Sequence, residues 1–236
     1  YAQDTPIIAL CAAGIVIRTL APLLLEKGAE PPVLAVAEDA SAVVPLLGGL
    51  SGVNDLAREI AAGLGIAPAI TTSGELRFGT CLLNPPCGYV LGDVELGKRF
   101  VSDLLAGEPV RIEGHAPWLA CAQLPERPDA RLAIRVSSDA RAPTADALLI
   151  YPRNVLVKLT TAVTAQVIRE GLLEANLAWQ SVACVVAAET MMADAQLRDV
   201  ASELGVPLRF IGSDEDLAPH SLTWREPEGA VALGVA

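Results

Sequence analysis

Aromatic side chains are scarce in this 236-residue chain: Trp, Tyr and Phe number three each, 4% of the whole. The core must therefore be built from Ala, Val, Leu and Ile. Basic charge is also short. Seventeen Lys and Arg face 28 Asp and Glu, a formal net charge of −11. Such a field repels phosphate backbones, so neither nucleic acid nor an anionic membrane is an expected partner. Lysine is confined to Lys27, Lys98 and Lys158. The surplus of arginine suits bidentate carboxylate contacts, and high-GC codon usage accounts for it equally well. Cys11, Cys81, Cys87, Cys121 and Cys184 form no C-x-x-C pair, and His115 and His220 stand far apart. That spacing supports neither a zinc site nor a disulfide framework. The cysteines read as small core hydrophobes of a reducing compartment, hence a cytoplasmic chain without metal or cofactor.

A long apolar run is missing too. The best stretch, Ile7 to Leu25, is broken by Gly14, Arg18 and Pro22, and Asp4 stands where a signal peptide would be basic. A charge at mid-span costs about 2.5–3.5 kcal/mol, so no membrane span is expected. The chain opens with Tyr1 rather than Met and reads as a segment of a longer polypeptide. G-x-S-x-G, P-loop and G-x-G-x-x-G motifs are all absent.

What is present is ample apolar material, 52% hydrophobic against 19% charged residues, which excludes extensive disorder. The expected fold class is α/β: two three-layer α/β units flanking a small irregular mixed α+β middle domain. The expected boundaries are 1–75, 76–149 and 150–236. In the first unit, strands are expected at 6–11, 33–36, 43–44 and 69–72, with helices at 15–27 and from an Asn54 cap to Leu64. Their alternation implies a largely parallel sheet. Prolines break the middle region, where only 94–105 reads as helix and 110–112 and 131–136 as half-buried strands. Alternation resumes with strands at 155–157, 182–187 and 207–211 and helices at 160–174 and 193–204.

In open α/β sheets ligands gather beyond the carboxyl ends of strands. Three places qualify. The Cys11–Gly14 turn offers N–H groups at a helix start, or is a close strand–helix contact. The loop from Gly48 and Gly49 through Ser51 to Asn54 serves either a tight turn or close approach to a ligand. Thr71 and Thr72 supply hydroxyls, with capping as the alternative. Glu38 with Asp39 reads as a solvated turn, and Met191 with Met192 as packing.

The residues Cys11–Ile15, Arg18, Ala21–Pro22, Lys27, Pro32–Val33, Asp39, Val44–Gly49, Gly52, Asn54, Leu56–Ala57 and Ile70–Thr72 resemble the cobalamin-biosynthesis family CbiG. So do Pro85–Pro86, Leu104–Val110 and Pro117–Leu119, while Tyr151–Arg153 and Leu204–Phe210 look like its CobE-like carboxyl-terminal domain. The resemblance implies hydrolysis of the lactone of cobalt-precorrin-5A with release of acetaldehyde. It also suggests a fusion ahead of a precorrin methyltransferase. Several motif positions depart from the family. Leu50 and Ser51 stand where it has His and usually Arg after Gly49. Lys158–Val163 replaces a G-x-G-C-x-x-G loop, Met191–Asp194 a Lys-Ala-Asp-Glu run, and Glu226–Pro227 a Gly-Cys-His loop, although Glu228 and Gly229 persist. A nest without glycines cannot present consecutive N–H groups, and Leu in place of a base moves no proton.

The expected role is thus a non-catalytic tetrapyrrole-binding or scaffolding protein of the corrin pathway. Its partners would be a corrin or precorrin, a precorrin methyltransferase module, and a homo-oligomer or larger complex. The expected binding residues are Gly14, Arg18, Gly48, Gly49, Ser51, Asn54, Thr71, Thr72 and Glu228, between the two α/β units, with Arg58 and Arg153 as further cations. The alternatives are an active lactone hydrolase using Ser51, Asp55 or Glu228, and a structural subunit of an unrelated complex.

Overall fold

A computed structural model of the chain describes residues 5–24, 30–212, 223–225 and 231–235. It divides into two compact units, Tyr1–Asn84 and Pro85–Ala236.

The first unit is a three-stranded sheet of β1 (Ile7–Leu10), β2 (Val33–Val36) and β3 (Val43–Leu47), in that order. Every residue of β2 is buried, and period two splits them between two helices. Val33 and Ala35 pack with Val16 and Leu20 of α1 (Ala13–Leu20); Leu34 and Val36 pack with Val53, Ala57 and Ala61 of α2 (Val53–Leu64). Three layers result, as expected. The sheet itself is mixed rather than largely parallel. β1 and β2 are parallel, but β3 returns antiparallel to β2 through the turn at Asp39, whose carboxylate accepts from Ser41 N and Oγ.

Two local chemistries explain further differences from expectation. α1 stops at Leu20 because Pro22 has no N–H for the Arg18 carbonyl, and a single 3-10 turn (Ala21–Leu23) follows. Residues 69–72 are not a strand. Ala69 N donates to Val43 O at 2.8 Å, and a parallel ladder would next require an N–H two residues along β3. That residue is Pro45, so the ladder ends after one bond. The chain instead enters α3 (Ser73–Phe78).

The 76–149 region, which enters the second unit at Pro85, is more ordered than its prolines suggest. β4 (Tyr89–Leu91), β5 (Val110–Glu113), β6 (Leu132–Val136) and β7 (Ala147–Pro152) form a sheet in the order β4-β7-β6-β5, with β5, β6 and β7 parallel. β6 is buried on both faces apart from Arg135, which corrects the half-buried reading. α4 (Val94–Ala106) is capped by the Asp93 carboxylate, which accepts from Leu96 N at 2.8 Å, and stops at Gly107 with φ 106°.

A second sheet follows directly: β8 (Val155–Leu159), β9 (Val182–Ala188), β10 (Leu208–Ile211), β11 (Thr223–Arg225) and β12 (Val231–Val235), in the order β10-β9-β8-β12-β11. β8, β9 and β10 are parallel and step one way, so successive right-handed crossovers lay both helices on one face. Accordingly α5 (Ala165–Glu174) and α6 (Ala195–Leu204) share one core with Val155, Val157, Val185 and Ala187. α5 begins five residues later than expected, at a Thr164 cap. Of the cysteines, Cys11 packs half-buried against the α1–β2 core and Cys81 and Cys184 are half-buried, while exposed Cys87 and Cys121 depart from the core reading; all are free thiols. Among the described residues no helix is long and apolar enough to cross a membrane.

Candidate functional site

The direction of β3 decides which candidate residues can meet. The Gly14 turn follows the carboxyl end of β1. Because Leu47 of β3 pairs with Val33, the first residue of β2, the Gly48–Asn54 loop leaves the sheet at the opposite end. The antiparallel return therefore separates the Gly14 turn from the glycine loop by the length of the strands. Gly14 sits inside the first turn of α1, and exposed Arg18 folds back to donate from Nη1 to its carbonyl at 3.2 Å.

The glycine loop is held by its own backbone. Gly48 has φ 82°, and a Cβ there would lie 2.6 Å from Pro31 O. Its glycine requirement is thus set by the Pro31–Pro32 backbone. Gly48 O accepts from both Ser51 N and Val53 N, and Ser51 Oγ donates to Glu30 O at 2.9 Å. Nothing lies within 4 Å of a Cβ built at Gly49. Gly52, with φ 89°, caps α2, so Asn54 is not the cap; it lies in the first turn, 6% exposed.

Asn54 is instead the centre of a polar cluster. Its Nδ2 donates to Thr72 Oγ1 at 3.0 Å and to Glu75 Oε1 at 2.5 Å. Glu75, on the first turn of α3, is 5% exposed, and its other oxygen, Oε2, is ion-paired with Arg58. Arg58 follows Asn54 by one turn on the same face of α2, and its Nη1 meets Asp55 Oδ1 at 2.8 Å. Burial draws the Arg58 pKa down, but the Glu75 hydrogen bond and charge, followed by Asp55, outweigh it and raise it. Thr72 begins α3 without a side-chain cap, its hydroxyl being engaged by Asn54. Thr71 stays exposed in the preceding segment. The cluster thus gathers Asn54 and Thr72 from the expected set, with Arg58 and Asp55. Glu75 was not foreseen. Its position three residues after Thr72 in a helix start was the available signal.

Residues 1–75 match the family described as Cobalamin synthesis G N-terminal. The resemblance to CbiG read from the sequence stands on that match. A cobalt-precorrin-5A hydrolase of Priestia megaterium is 35% identical over 72 residues, 30% of this chain and 19% of that protein. Its counterpart from Salmonella typhimurium is 40% identical over 78 residues, 33% of this chain and 22% of that protein. The matched stretch spans about a fifth of these relatives' own lengths. A solved cobalamin biosynthesis protein G homolog from Sulfolobus solfataricus aligns over 98% of this chain and 81% of its own, at 17% identity and a TM-score of 0.37.

Within the CbiG-like unit the chemistry of the cluster is restricted. Both oxygens of Glu75 are engaged and one oxygen of Asp55 is paired, so neither carboxylate stands alone beside a nucleophile. Cys81 is held as a thiol: burial pushes its pKa up, and Glu75 and Asp55 add to that against the pull of the Asn84 and Leu83 backbone. Asp39, at the β2–β3 turn, has its pKa lowered by the Ser41 hydroxyl and N–H. Beyond this unit, Arg153 spends Nη1 on Val182 O at 3.1 Å. His115 is exposed beside Gly114. Glu228 and His220 lie outside the described residues, and among the described residues no group of His, Cys, Asp and Glu could hold a metal.

Proposed function

We propose that this chain is a cytoplasmic corrin-pathway protein that binds or scaffolds a tetrapyrrole without hydrolysing it, its carboxyl-terminal part being CobE-like. The pathway is supported by the match of residues 1–75 to the CbiG amino-terminal family. The non-hydrolytic role is carried by one observation, the commitment of Ser51 Oγ and of both Glu75 oxygens to partners within the protein itself. Ser51 Oγ is bonded to a backbone carbonyl, Leu50 replaces the family's histidine, and Arg58 bridges Glu75 and Asp55. A hydroxyl without a neighbouring base is a poor nucleophile, and a carboxylate already paired on both oxygens is a poor base. The natural partner of such a chain is a precorrin methyltransferase module, which would receive the macrocycle it holds. Titration with cobalt-precorrin-5A, followed by the absorbance of the macrocycle, tests the binding role. A saturable spectral shift at micromolar ligand is expected; a linear, non-saturating response refutes it.

A further inference from the structure

A cavity of about 280 Å³ opens within the second unit, lined among others by Arg141, Tyr151, Arg169, Leu173, Leu177 and Trp179. Its walls are fixed by backbone. α5 ends where Asn176 takes a left-handed conformation, φ 56°, which Asn tolerates, and Leu177 N closes back on Leu172 O at 2.7 Å. That turn is laced to the segment after β6: Ala140 N donates to Asn176 O at 3.1 Å and Ala178 N to Ser138 O at 2.7 Å.

The lining has two characters. Leu173 and Trp179 are 68% and 46% exposed, large apolar groups left open at the mouth. Two cations, Arg141 and Arg169, share the lining with them in a chain of charge −11. The Arg169 guanidinium lies 5.8 Å from the Trp179 ring centroid and meets Glu203 through Nη1 at 3.2 Å. Arg141 meets Asp139 through Nη2, also at 3.2 Å. A guanidinium carries five N–H donors in a fork, so each pairing leaves capacity for a second acceptor. Tyr151 adds a neutral hydroxyl: burial pushes its phenol up, against the opposing Arg141 backbone hydrogen bond and charge.

We propose that this cavity binds a planar aromatic carboxylate, its ring against Trp179 and Leu173 and its carboxylate on Arg141 and Arg169. The size sets the ligand class. At the lower edge of small-molecule pockets, which run from about 300 to 1,000 Å³, the cavity takes one or two fused rings and not a macrocycle. The site stands apart from the corrin-pathway reading and succeeds or fails without it.

The experiment uses the full chain with 2-naphthoate as probe and 2-naphthamide as its uncharged control, read by calorimetry and tryptophan fluorescence. Saturable binding of 2-naphthoate is expected, with the amide and the Arg141→Gln and Arg169→Gln variants each about tenfold weaker, as loss of a charged hydrogen bond dictates. Glu203→Gln releases Arg169 from its carboxylate and should tighten binding, a gain that a damaged fold cannot produce. Binding of the amide as tight as that of the acid overturns the proposal. So do unchanged affinities in the arginine variants, no gain in Glu203→Gln, or the absence of saturation.

Discussion

Removing Arg58 should loosen the CbiG-like unit at α2 and α3. The Glu75 side chain is 2% exposed and would keep only Asn54 as a partner. Stripping one member from a buried ion pair costs about 3–5 kcal/mol. Arg58 is 42% exposed, however, so water already screens its side of the pair. Arg58→Leu is therefore expected to cost about 2–3 kcal/mol. Glu75→Leu removes the buried charge and leaves Asn54 with Thr72, at a cost of about 1–2 kcal/mol. With the two side chains in contact, the double variant should fall short of the sum by about 1–2 kcal/mol. Trp118, Trp179 and Trp224 all lie beyond residue 84, so tryptophan fluorescence does not follow this unit. Hydrogen exchange of peptides from α2 and α3, with urea unfolding by far-ultraviolet circular dichroism, does. Additive single effects, or an Arg58→Leu cost under about 0.5 kcal/mol, would refute the reasoning.

Gly48→Ala places a Cβ 2.6 Å from Pro31 O at φ 82° and should destabilise by about 2–3 kcal/mol in urea titration. Gly49→Ala, with nothing within 4 Å, should stay within about 0.5 kcal/mol of the parent. Timed alkylation at neutral pH should label exposed Cys87 and Cys121 before Cys81 and Cys184, whose thiols are pushed up first by burial; mass spectrometry reads the order. At Glu113 burial raises the carboxyl pKa, but hydrogen bonds from Arg111 and Arg135 outweigh it and hold it below 4.5. The resulting stability is present above the unfolded value and is lost as pH falls through the lowered one. Glu113→Gln should therefore remove part of the acid-side loss in urea midpoints while leaving the neutral-to-alkaline slope unchanged.

The helices and strands were legible where side-chain period and punctuation agreed. α2 ends at Gly65 and α6 at Gly205, both left-handed, and the fully apolar β2 lies where its sequence placed it. Strand direction was not legible. The short turn at Asp39–Ser41 makes β3 a hairpin partner, and that reversal sends the glycine loop away from the Gly14 turn. The failed strand at 69–72 depends on Pro45, some 25 residues earlier, acting through a missing donor rather than through its own segment. β7 escaped notice because Ala147–Tyr151 is buried throughout and lacks alternation, as central strands covered on both faces do. In the candidate site, Asn54 and Thr72 were visible as polar residues near glycines. Glu75 was hidden because a lone glutamate at a helix start looks solvated until the opposing Arg58 and Asn54 are in place.

Acetaldehyde released from cobalt-precorrin-5A, counted against a protein-free blank and against an active hydrolase of the Priestia megaterium kind, bears most directly on the whole reading. Release no faster than the blank, with the macrocycle retained by the protein, is the predicted result; sustained turnover by this chain would contradict it.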